Sequence, residues 1–157
     1  MRVTILWFFL LVLAGSAHAS DIWSTAVAER PSDGWKIIYR FIDKLEDHSE
    51  KTKYPTAITL TWNYDSPNGL PTKLHVDAIY KLEDLLEKSV ERNGEGRLAF
   101  ISTGNNLRSW TYYVKSESFF RKALAEAVTI VQLELQVSGS PDPQWKKLSD
   151  FANSIRR

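Results

Sequence analysis

Hydrophobic and polar positions alternate without interruption over residues 56–64. Ile58, Leu60, Trp62 and Tyr64 fall on one side, Thr59, Thr61 and Asn63 on the other. A period of two over this length predicts a half-buried strand. The same period recurs over 35–42, where Trp35, Ile37, Tyr39 and Phe41 oppose Lys36, Ile38, Arg40 and Ile42. A weaker alternation over 21–29 is separated from it by the turn cluster Arg30-Pro31-Ser32-Asp33-Gly34, and the two read as an antiparallel pair. Residues 43–53 are charged and polar and predict an exposed loop with at most a helical turn.

After 64 the period changes. Ser66-Pro67-Asn68-Gly69-Leu70-Pro71 breaks the strand, and Thr72 is placed to cap a helix through its hydroxyl. Ala78/Ile79, Leu82, Leu85/Leu86 and Val90 then recur at helical spacing up to the stop at Asn93-Gly94. Residues 96–102 and 107–114 flank Thr103-Gly104-Asn105-Asn106, a hairpin in which Gly and Asn supply positive φ. Ser116 begins a second helix bearing Phe120, Leu124 and Ala127/Val128. Residues 129–137 alternate again, with Val131, Leu133, Leu135 and Val137 inward, and predict a last strand. Ser138-Gly139-Ser140-Pro141 reads as a turn. Asp142 as N-cap and Pro143 at the first helical position open a terminal helix carrying Trp145, Leu148, Phe151/Ala152 and Ile155.

From residue 56 onward the order is strand, helix, strand, strand, helix, strand. The fold class expected is α+β: a ferredoxin-like split βαβ antiparallel sheet with an N-terminal strand pair and a C-terminal helix. Trp62 and Trp110 are expected beneath the long helices.

Two further features change the picture. Arg2, the apolar run over 5–13 and Ala17-His18-Ala19 have the form of a secretory leader, so residues 1–19 are expected to be a signal peptide and 20–157 a single domain. The run is too short for a span of about 20 apolar residues, so no stable membrane insertion is expected after cleavage. The destination expected is the periplasm or the exterior. Removing Arg2 leaves the chain formally neutral, which argues against a nucleic-acid partner. Cys is absent, so a chain folding in an oxidising compartment has no disulfides and no thiol chemistry.

Candidate chemistry is sparse. His48 and His75 have no second ligand at metal spacing, and phosphate-loop, dinucleotide and nucleophile-elbow motifs are missing; no metal or cofactor is expected. Glu83, Asp84, Glu87 and Glu91 crowd one helix. Arg40 and Arg108 lie on aromatic strands, where a guanidinium can grip a carboxylate or phosphate and stack on a ring. The reading these residues support is a non-enzymatic exported domain binding a protein, as in the cell envelope, or a small ligand, through Arg40, Arg108 and Tyr112. The rival is an envelope-acting hydrolase using the carboxylates Glu83 and Glu87.

AERPSDG, the Arg40 strand, Tyr54-Pro55, TLTWNY, Gly69-Leu70-Pro71, LEDLLE, LRSWTYYV and DPQW occur in an order that resembles the bacterial domain-of-unknown-function family 695 over nearly all of residues 20–157. The resemblance implies a ferredoxin-like α+β domain and no established activity. It also implies a protein-binding, regulatory role, since some relatives accompany a domain resembling a ribonuclease E regulator; the leader here argues against a ribonuclease partner.

Overall fold

The computed structural model describes residues 21–155 apart from Pro31, Asp33 and 46–48. The leader expected at 1–19, His48 and part of the turn at 30–34 lie outside the described residues.

Six strands and four helices follow in the order β1 (Ile22–Glu29), β2 (Lys36–Lys44), α1 (Ser49–Lys53), β3 (Thr56–Asn63), α2 (Lys73–Leu86), β4 (Gly96–Gly104), β5 (Leu107–Val114), α3 (Glu117–Val131), β6 (Gln136–Pro141) and α4 (Lys146–Ile155). A π-helical turn, Glu87–Glu91, prolongs α2. The class is α+β. The strands form one antiparallel sheet in the order β1-β2-β4-β5-β3-β6. Within it α2 joins β3 to β4 across β5, and α3 joins β5 to β6 across β3.

The alternation of β3 decides the layering. Ile58, Leu60, Trp62 and Tyr64 enter a core with Ile79, Leu82 and Leu86 of α2, Phe120, Leu124 and Ala127 of α3, and Trp110, Tyr112 and Val114 of β5. Ala57 faces the other way, into a second core with Phe41, Tyr113, Trp145, Leu148 and Ala152. The terminal helix therefore lies on the sheet face opposite the two long helices. Trp110 and Trp62 are buried beneath those helices, as the pattern required.

Local signals hold the ends. Thr72 Oγ1 accepts from His75 N, and His75 Nδ1 accepts in return from Thr72 N, a reciprocal cap that gives His75 a structural task. Ser116 caps α3 through the Phe119 N–H. In the β4–β5 hairpin Asn105 and Asn106 have φ of 56° and 58°. At Gly104 a Cβ would come within 2.2 Å of the Lys36 carbonyl oxygen, so β2 closes directly on the turn.

The last strand differs from the sequence expectation. α3 continues to Val131 and ends at Gln132 in the left-handed conformation, and β6 is Gln136–Pro141 rather than 129–137. Thr129, Ile130 and Val131 are good strand formers, but the apolar stripe of α3 extends through Val128 and Val131, which pack against the core. Tertiary burial overrides local preference. The Ser-Gly-Ser-Pro segment then pairs with β3 at the sheet margin, where a proline needs no ladder hydrogen bond. The terminal helix likewise starts at Lys146, with Trp145 before it at φ 53°.

Candidate functional site

The register places the two arginines on one face. Arg40 of β2 opposes Ile101 of β4, and Ile101 opposes Trp110 of β5. Opposed residues of an antiparallel ladder share a face. Ile101 and Trp110 belong to the helix-side core, so Arg40 lies on the helix side of the sheet. Arg108, two residues before Trp110 on β5, lies on it too, and its cross-strand neighbour is Thr103.

Their surroundings differ sharply. Arg108 Nη2 donates to Glu83 Oε1 at 2.5 Å, and the indole Nε1 of Trp110 donates to the same oxygen at 2.6 Å. Arg108 Nη1 also donates to Thr103 Oγ1. Its guanidinium carbon is 5.1 Å from the Trp110 ring centre. This cluster pins α2 to the sheet, with the Arg108 side chain only 11% exposed. Arg108 Nε is buried without a hydrogen-bond partner.

Arg40 is exposed, and its guanidinium carbon lies 5.7 Å from the ring centre of Trp23 on β1. Among the described residues no carboxylate is within ion-pair distance of it. The other two arginines on the sheet strands are paired, Arg97 with Asp21 and Glu50, Arg108 with Glu83. The two long helices cover β3 and β5, but on this side of β1 and β2 Thr25, Val27 and Arg40 remain exposed and Trp23 is 37% exposed.

Tyr112, the third residue expected at the surface, is fully buried. Its ring packs 5.1 Å from Phe120. Burial, with Glu91 and Glu83 nearby, raises its phenol pKa well above the ordinary value. The structure thus brings Tyr112 and Arg108 into the interior and leaves Arg40 apart from them, on the open part of the same face.

The acidic row of α2 is resolved pair by pair. Glu83 is held by Arg108, and Glu87 accepts from Arg92 Nη2 at 2.9 Å. Burial raises the Glu91 pKa against a backbone hydrogen bond from Leu98 and the charge of Arg97. Among the described residues no group of three or more His, Cys, Asp or Glu is arranged to hold a metal ion.

On the opposite face sequence reasoning missed a polar lock. Trp145 stacks on Tyr113 with ring centres 4.1 Å apart and planes 9° from parallel, and its Nε1 donates to the Tyr54 carbonyl at 2.9 Å. Asp142 accepts from the Tyr113 hydroxyl at 2.8 Å and from the backbone N–H groups of Lys146 and Lys147. Burial pushes the Asp142 carboxyl up, but these donors outweigh it and hold its pKa below the ordinary value. A cleft of about 190 Å³ opens between the end of β2 and α4, lined by Ile42, Leu45, Lys51 and Leu148 among others. That is below the roughly 300–1,000 Å³ of a small-molecule site.

The molecule is therefore an α+β domain whose sheet is sealed by helices over one half of one face and presents a ring-backed arginine on the other half. Residues 23–152 match the family described as "Family of unknown function (DUF695)", and the chain belongs to that family. No curated protein matches it.

Proposed function

We propose that this chain is an exported, non-enzymatic domain that binds a protein partner through the uncovered part of its helix-side sheet face, centred on Arg40. The observation that carries the reading is the contrast between the arginines. Arg97 and Arg108 are spent on carboxylates within the fold, whereas Arg40 is presented to solvent against an indole face. A guanidinium in that position offers a planar, charged donor set matched to a carboxylate. Trp23, Val27 and Ile38 border it and supply an apolar seat. The small size of the cleft beside α4, and its place on the other face, favour a protein over a small ligand.

Export is supported by the leader pattern of residues 1–19. Among the described residues no helix is long and apolar enough to cross a membrane. Intact mass of the protein from the cell envelope fraction is expected to correspond to a chain beginning at Ser20; a chain beginning at Met1 contradicts cleavage.

Binding is tested by pull-down from an envelope extract. The wild-type domain is expected to recover a saturable partner that Arg40→Ala loses. Recovery of the same partner by Arg40→Ala at wild-type level rejects this surface.

A further inference from the structure

The two outer strands of the sheet are built differently. β6 spans six residues, contains Gly139 and closes on Pro141, features that blunt an edge against further pairing. β1 spans eight residues, Ile22–Glu29, with no proline, glycine, lysine or arginine. Its single charged residue, Glu29, lies at its far end, and its one register shift lies at its first residue. Ile22 and Val27 are 54% and 60% exposed, and Trp23 is the next large apolar residue on the same strand. Natural edges of this length carry inward charges, prolines or a covering segment unless something pairs with them.

The order of residues along β1 is self-complementary about Thr25. Let a second copy run antiparallel beside it, with a two-fold axis through Thr25 and perpendicular to the sheet. Trp23 then opposes Val27 of the second copy, Ser24 opposes Ala26, and Ile22 opposes Ala28, each relation occurring twice. Trp23, Thr25 and Val27 are alternate residues whose ladder partners include Arg40 and Ile38, so they share the helix-side face, and this axis preserves that face. Moving the centre to Ser24 sets Val27 against Asp21, and moving it to Ala26 sets Trp23 against Glu29. Only Thr25 as centre matches apolar to apolar at both exposed positions; it also brings Asp21 opposite Glu29 at the two ends of the seam, a like-charge pair in which Asp21 is already neutralised by Arg97 within the fold.

We infer that β1 is the contact strand of a homodimer, in which two copies join edge to edge into one continuous antiparallel sheet, Thr25 on the axis. An isologous two-fold contact of this kind is the commonest oligomeric arrangement. It packs the seam-facing sides of Trp23 and Val27 against each other, leaving the upper surface beside Arg40 open, and satisfies the outward N–H and C=O groups of both strands. It also sets the two Arg40 surfaces side by side on one face, but it does not depend on what Arg40 binds.

The test uses residues 20–157 and needs no ligand. Sedimentation velocity across a wide concentration range is expected to show a doubling of mass, and Val27→Lys is expected to remain monomeric with unchanged far-UV circular dichroism. Because the chain has no cysteine, single substitutions read the register directly. Opposed residues of an antiparallel pair have Cα atoms roughly 4.5–5.5 Å apart, within disulfide range. Thr25→Cys is therefore expected to form a covalent dimer on mild oxidation, whereas Val27→Cys, which faces Trp23, is not. A wild-type chain that is monomeric at every concentration overturns the inference, including the case where β1 is protected only on adding a different protein. Dimerisation of Val27→Lys at wild-type strength overturns it, and so does equal cross-linking of the two cysteine variants.

Discussion

Asp142 shows how one carboxylate can organise a chain terminus. It accepts from the phenol of Tyr113 and from two backbone N–H groups of the first turn of α4. Replacing it with Ala strands the buried Tyr113 hydroxyl and uncaps the helix, a loss expected to be about 2–3 kcal/mol in chemical denaturation. The folded carboxyl has a lowered pKa, so its contribution is whole above the ordinary value of 3.8 and is lost as pH falls through the lower folded value. Asp142→Asn should accordingly flatten the acid side of the stability profile relative to wild type; an unchanged acid limb contradicts the role. Glu91 has the opposite sign. Burial raises its pKa in the fold, so keeping it ionised opposes folding above the ordinary 4.5. Glu91→Gln is expected to raise the melting temperature at neutral pH, with the gain vanishing below that value. A lower melting temperature at neutral pH would mean that the Leu98 N–H contact outweighs burial.

The strength of the α2–sheet attachment lies in Trp110. Its ring is wholly buried, and its Nε1 shares Glu83 with Arg108. Trp110→Ala is expected to cost about 3–5 kcal/mol, measured by urea denaturation. Trp145→Ala is expected to cost a similar amount for a different reason, since it removes both the stack on Tyr113 and the hydrogen bond that ties α4 to Tyr54. A loss under 1 kcal/mol at either position contradicts its placement. Most of these elements were legible before the structure. The strict alternation of 56–64, the Thr72 and Ser116 caps and the Asn105-Asn106 turn each matched one local geometry. The margin strand was not, because the Thr-Ile-Val run favours a strand locally while Val128 and Val131 complete a helical stripe that only the assembled core rewards. Asp142 was legible as a polar start to the terminal helix, but α4 begins at Lys146 and Pro143 is not its first residue, so Asp142 reaches the first helical N–H groups from four and five residues away. Its tie to Tyr113 depends on the α4 packing that no local pattern states.

Across the molecule as a whole, the sheet divides its helix-side face into a closed and an open half. The closed half consumes Arg108 and Tyr112, two of the three residues that sequence pattern offered as a surface. A strand arginine beside aromatics reads the same in sequence whether a helix covers it or not. What separates Arg108 from Arg40 is that the connection between β3 and β4 lays Glu83 over the first and, among the described residues, no carboxylate lies within ion-pair distance of the second. The open half is the extension made by β1 and β2, and it is there that Arg40, Trp23 and Val27 meet solvent.

That division is tested most directly by comparing Arg40→Ala with Arg108→Ala for stability and for partner capture in the same preparation. Arg108→Ala, which leaves Glu83 short of a buried cation, is expected to lose about 3 kcal/mol in urea denaturation. Arg40→Ala, an exposed change, is expected to stay within about 0.5 kcal/mol of wild type while abolishing capture of the proposed partner. An Arg40→Ala protein that is equally stable and still captures the partner, or an Arg108→Ala protein with wild-type stability, contradicts the account.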